Sequence, residues 1–101
     1  MSKKTQTRED VLALLSTFKE NQKTAYALVS IGVFGSFARD EVRSDSDVDI
    51  VFETDKPNLF RTARMKQDLE ELLGRNVDIV QLRESMNPRL RDRILREARY
   101  V

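Results

Sequence analysis

The chain has 101 residues, with 18 Lys plus Arg against 17 Asp plus Glu, a net charge of +1, no His and no Cys. That length supports one modest core, and so even a charge balance gives no global attraction to nucleic acid. Without His or Cys there is no Ser-His or Cys-His nucleophile, no thiolate or imidazole zinc site and no disulfide, so acid–base chemistry falls to carboxylates, Lys or Tyr.

Met1 to Thr7 is polar and lacks the apolar run of a signal peptide. It leads into a helix that starts near Thr7, where Val11, Leu14, Leu15 and Phe18 recur with the spacing of one buried face. Tyr26 to Phe34 is apolar and partly β-branched and predicts the first strand. The uncharged stretch around it, Ala25 to Ala38, is shorter than the roughly 20 residues a membrane-spanning helix needs. Gly35-Ser36 then reads as a tight turn, with Phe37-Ala38-Arg39 opening a short helix. Such a turn exposes backbone N–H groups at the positive end of a helix and lets a phosphate come close to a glycine backbone. Taken alone, Gly-Ser is equally an ordinary end to a strand.

Residues 47 to 52 alternate Asp, Val, Asp, Ile, Val, Phe. A two-residue period sends Val48, Ile50 and Phe52 of a second strand, Val48 to Glu53, to one face and Asp47 and Asp49 to the other. Two like charges roughly 7 Å apart on a strand repel unless a cation sits between them. Magnesium suits the position, since it favours one or two carboxylates plus substrate phosphates over an all-protein cage. Arg43-Ser44-Asp45-Ser46-Asp47 also fits a solvated turn that caps the strand.

Lys56-Pro57-Asn58 is a loop whose Asn58 can cap a helix marked by Met65, Leu69, Leu72 and Leu73 and closed by Gly74. Asn76 to Gln81 is the third strand, and its Val77-Asp78-Ile79-Val80 repeats Val48-Asp49-Ile50-Val51. If the two strands are neighbours, Asp78 joins Asp47 and Asp49, and three converging carboxylates can hold two cations for a phosphoryl or nucleotidyl displacement. Chance repetition, with Asp78 on an exposed edge, is the alternative. Asn87-Pro88 opens a last helix with Pro at its first position, and Leu90, Ile94, Ala98 and Val101 form its apolar stripe.

Together these elements predict one α/β (α+β) domain over residues 1–101, with a small mixed three-stranded sheet covered on one face by helices. The connection between the first two strands is short, so that pair is expected to be antiparallel. Arg83, Arg89, Arg91, Arg93, Arg96 and Arg99 crowd the C-terminal region. Arg89, Arg93 and Arg96 would share a helix face away from the apolar stripe, as a solvated surface or as a patch that docks a partner. Few aromatics are interleaved with these cations, which gives little support to single-stranded nucleic-acid binding.

Gly35-Ser36-Phe37-Ala38-Arg39, Ser46-Asp47-Val48-Asp49 and a lone Asp78 on a later strand resemble the DNA polymerase β-like nucleotidyltransferase superfamily with its palm fold. The small size resembles its minimal nucleotidyltransferase (MNT) proteins. This resemblance implies an antitoxin of a type VII-like toxin–antitoxin pair that moves AMP from ATP onto a tyrosine of a HEPN-domain toxin, as part of a hetero-oligomer in the cytoplasm. It also implies that Asp47 and Asp49 ligate Mg²⁺, that Gly35, Ser36 and Arg39 bind the nucleotide, and that Asp78 ligates metal or takes the acceptor's proton. Many members of the family carry Gly where this chain has Asp40, and Asp40 is expected to point outward, away from a triphosphate. Two classes of function follow from this pattern: a Mg-dependent protein adenylyltransferase, or a binding module that silences its partner by occlusion alone. Three clustered carboxylates favour the enzyme, because a scaffold gains little from them.

Overall fold

A computed structural model describes residues 7–41 and 47–101. The predicted capped turn from Arg43 to Ser46 lies outside the described residues. Helix α1 (Arg8–Gln22) begins where Thr7 caps it: the Thr7 side chain accepts from the Asp10 backbone N–H, and Asp10 accepts from that of Thr7. Strand β1 (Leu28–Phe34) pairs antiparallel with β2 (Val48–Thr54), as the short connection requires. Helix α2 (Leu59–Leu73) starts at Asn58, whose side chain accepts from Arg61 N–H, and ends at Gly74 with φ 67°, the left-handed conformation that glycine adopts without strain. Strand β3 (Val77–Gln81) then pairs parallel with β2. Helix α3 (Pro88–Glu97) is capped by Asn87, which accepts from the N–H groups of Arg89 and Leu90.

The sheet has four strands rather than three: Arg99–Tyr100 forms β4, and the order is β3-β2-β1-β4. The last helix stops at Glu97, Ala98 turns extended, and the short β4 runs antiparallel to β1. Gly32 makes this possible. A Cβ there would fall on the Arg99 carbonyl group and 2.9 Å from the Tyr100 Cα, so only glycine lets the two backbones close. Val101 follows β4, donates its N–H to the Ile31 carbonyl and packs on the main core instead of completing a helical stripe.

Helices α1 and α2 cover one sheet face. Val11, Leu15 and Phe18 of α1 and Met65, Leu69 and Leu73 of α2 meet Ile31, Val33, Val48, Ile50 and Phe52 of the sheet. Of the four apolar residues expected inward on α2, Leu72 instead remains 40% exposed. Tyr26 stacks on Phe18 and donates its hydroxyl to Asp68; burial, then that bond to a carboxylate, pushes its pKa up to about 12. Glu70 accepts from the Val77 N–H at 3.0 Å and fastens the start of β3 to α2. The opposite face is partly covered too. Ile94 of α3 packs with Phe34 and Val51 in a second, smaller cluster that Leu90, Val80 and Ala98 border. Val51 lies on the same side of β2 as Asp49, so α3 walls the acidic face of the sheet.

Candidate active site

The repeated Val-Asp-Ile-Val tetrapeptides lie side by side in register: Val48 opposite Val77, Asp49 opposite Asp78, Ile50 opposite Ile79 and Val51 opposite Val80. Asp49 and Asp78 therefore face the same side on adjacent parallel strands. Asp47 immediately precedes β2 and is exposed. Two strand periods and one register thus gather the three carboxylates that the sequence singles out. Among the described residues, no group of three such side chains is closed tightly enough to hold an ion as it stands.

Asp49 is half-buried and carries the electrostatic cost of this arrangement. Burial raises its pKa, Asp78 raises it further and Asp47 adds to the effect, while Arg93 and Arg39 oppose it. All-oxygen donors with an excess of negative charge are what a hard divalent cation relieves, so the residues present fit magnesium.

On β1, the next strand of the sheet, Phe34 is the register partner of Asp49, and Gly35 follows at φ 70°. A Cβ on Gly35 would overlap the Asp49 carboxylate and lie 3.5 Å from Nη2 of Arg93. The backbone of the turn thus runs directly against the acidic group. No helix opens after it. Residues 35–40 are consecutive turns, closed by Arg39 N–H to Gly35 O at 3.1 Å and Glu41 N–H to Ser36 O at 2.8 Å. The turn is held from below by Phe37 and Ala38, both buried in the main core, and from the side by Arg8, whose guanidinium donates to the Ala38 carbonyl at 3.1 Å. Packing fixes its position, and its glycine geometry does not depend on a helix dipole.

Asp40 has φ 60°, a backbone conformation natural to Gly and tolerated by Asp, and its side chain is exposed. Asp40→Gly is expected to stabilise the fold by about 0.5–1 kcal/mol by removing left-handed strain. A urea melt checks this, and a loss of stability would contradict the assignment of strain to this position.

Arg39 does not reach toward Asp49 alone. Its Nη1 lies 3.2 Å from both carboxylate oxygens of Glu97, and Arg93 Nε is 3.3 Å from Glu97 Oε2. Burial works to raise the Glu97 pKa, but Arg39, Arg93 and the Gly35 backbone N–H outweigh it and hold the carboxyl below its ordinary range. Glu97 and Arg93 lie beside the candidate site; sequence reasoning did not name Glu97 and set Arg93 on a solvated or docking face. Their i,i+4 spacing on α3 was the available signal, and it is shared by countless surface pairs.

A mixed sheet flanked by helices, with carboxylates on an inner strand and the adjacent edge strand beside a glycine turn, is a nucleotidyltransferase fold. The nucleotidyltransferase domain family matches residues 13–101. Protein adenylyltransferase MntA of Thermococcus cleftensis is 35% identical over 96 residues, 94% of this chain and 96% of that one. A solved structure assigned as a minimal nucleotidyltransferase is 41% identical, with a TM-score of 0.69, over 91% of this chain and 89% of its own. The fold recurs at 20% identity, with a TM-score of 0.73, in a toxin–antitoxin structure with AMP-PNP, over 87% of this chain and 69% of that one. The chain belongs to the nucleotidyltransferase domain family.

Proposed function

We propose that this protein is a protein adenylyltransferase that moves AMP from ATP onto a tyrosine hydroxyl of a HEPN-domain toxin and thereby neutralises it. The observation that carries the reading is the convergence of Asp47, Asp49 and Asp78 beside the Gly35-Ser36 turn. The relative from Thermococcus cleftensis bears the name protein adenylyltransferase. A Shewanella oneidensis complex with the same fold, at 21% identity, pairs an MNT antitoxin with a tri-AMPylated HEPN toxin. These names support AMP transfer and a HEPN-domain partner.

In this reading the Gly35-Ser36 turn and Arg39 hold the nucleotide phosphates, and the absence of a side chain at Gly35 lets the triphosphate approach Asp49. Asp47 and Asp49, with Asp78 where it does not serve as base, would hold Mg²⁺, which supplies charge neutralisation at the α-phosphoryl group and the leaving pyrophosphate. The acceptor oxygen forms the new bond to the α-phosphorus as the bond to pyrophosphate breaks, and Asp78, the more exposed member of the Asp49–Asp78 pair, takes the hydroxyl proton. Residues 1–101 act as one domain, and the acceptor is presented by the partner over the open side of the site. No described helix is long and apolar enough to cross a membrane, and an ATP-dependent reaction suits the cytoplasm.

Intact mass measurement of the toxin encoded beside this protein, after incubation with the protein, ATP and Mg²⁺, tests the reading. The expected result is a gain of one or more AMP masses that maps to a tyrosine. A stable, neutralised complex with no added mass would replace catalysis by occlusion.

A further inference from the structure

Arg93 belongs to α3, outside every motif that marks the site, yet its guanidinium reaches into it. Its Nη2 lies 3.5 Å from the position a Gly35 Cβ would take, a position that also overlaps the Asp49 carboxylate. Its positive charge favours ionised Asp49 more than that of Arg39 does. The inner edge of the group is fixed: Nε donates to Glu97 Oε2 at 3.3 Å, and the guanidinium carbon lies 6.0 Å from the Phe34 ring centroid. Glu97 is itself tied to the Gly35 N–H and to Arg39. One carboxylate thus orients two guanidinium groups around the glycine turn, and the Nη edge of Arg93 is directed at the gap between that turn and Asp49.

We propose that Arg93 is a nucleotide-binding residue that engages the β and γ phosphates of the triphosphate, with Glu97 as its positioning residue. The assignment rests on the nucleotidyl-transfer reading of the site and extends it to a helix that the motif does not include. A planar guanidinium held by Nε presents its two Nη groups as a fork that matches two phosphate oxygens, a geometry that lysine lacks. At that place it also meets the charge that builds up on pyrophosphate as it leaves. Before nucleotide arrives, the same cation offsets the charge of Asp49, so Arg93 serves as counter-ion in one state and phosphate ligand in the other. This separates Arg93 from the solvated or docking face on which the helical pattern sets it.

The test is equilibrium binding in MgCl₂ of two probes: an ATP analogue with a methylene bridge between the α and β phosphorus atoms, and AMP. Arg93→Gln is expected to weaken the analogue about tenfold to a hundredfold, the range of a lost charge-assisted contact, and to leave AMP binding unchanged. Arg93→Lys should recover part of the loss, and Glu97→Gln should weaken the analogue selectively and by less. Unchanged analogue binding in Arg93→Gln would overturn the assignment. So would an equal loss for AMP and analogue, since a distorted turn would affect both probes. A wild-type protein that binds neither probe would overturn the nucleotidyl-transfer reading as well, which distinguishes the two failures.

Discussion

Asp49→Asn is expected to lower the adenylyl-transfer rate by more than about a hundredfold and at the same time to raise the melting temperature of the metal-free protein at neutral pH. The first effect follows from the position of Asp49 at the centre of the site, opposite Asp78, one strand period from Asp47 and against the Gly35 backbone. Even outer-shell partners of a metal ligand typically account for ten- to hundredfold effects. The second effect follows from the direction of its pKa. Burial, Asp78 and Asp47 together raise the Asp49 carboxyl above its ordinary value in the folded protein, against the opposition of Arg93 and Arg39. A carboxyl raised on folding binds its proton more tightly in the native state, so its ionisation destabilises the fold as pH rises through the folded value. That penalty is present at neutral pH and absent below the unfolded value, near about pH 3.9. Melting curves in EDTA should therefore show the variant more stable at pH 7, with the difference shrinking toward wild type as the solution is acidified. A variant that is less stable at pH 7, or a gain independent of pH, would mean that Arg93 and Arg39 already compensate the carboxylate fully. Retained transfer would remove Asp49 from the chemistry.

The parts of this fold that were legible in the sequence are those fixed by local chemistry. Thr7, Asn58 and Asn87 cap their helices through their own side chains, and Gly74 ends α2 through its own φ angle, so each boundary could be read from a few neighbouring residues. The pairing of β2 with β3 was legible for a different reason: two copies of Val-Asp-Ile-Val bury the same alternate residues, and in parallel register they bring Asp49 and Asp78 together. What escaped depends on contacts distant in sequence. Ala98, Arg99 and Tyr100 continue a helical pattern on paper, and they leave it because Gly32 opens the edge of β1 to their backbone. The turn after Gly35 does not wind into a helix, since Phe37 and Ala38 are drawn into the core and Asp40 takes a left-handed conformation. Arg93 and Glu97 look like a surface pair until the Gly35 N–H, distant in sequence, is found on the same carboxylate.

Gly35→Ala and Gly74→Ala form a matched pair that separates backbone strain from intrusion into the site. Both glycines are left-handed, at φ 70° and φ 67°, so an added methyl group meets the same conformational penalty at each, about 1–2 kcal/mol. At Gly74 nothing lies within 4 Å of the new Cβ, and strain is the whole cost. At Gly35 the new Cβ collides with the Asp49 carboxylate and has Arg93 Nη2 at 3.5 Å, so the turn or the carboxylate must move. Phe37, Ala38 and the Arg8 bond hold the turn, and β2 holds the Asp49 backbone, which leaves rotation of the carboxylate away from the turn as the easier response. Gly74→Ala should therefore lose about 1 kcal/mol in a urea melt and keep its transfer rate. Gly35→Ala should lose at least as much stability and, in addition, about a hundredfold or more in rate, because displacement of a reacting group by about 1 Å already carries that cost. Equal transfer rates in the two variants would show that the closeness of Gly35 to Asp49 has no part in the reaction, and the role of the turn would then have to rest on Ser36 and Arg39.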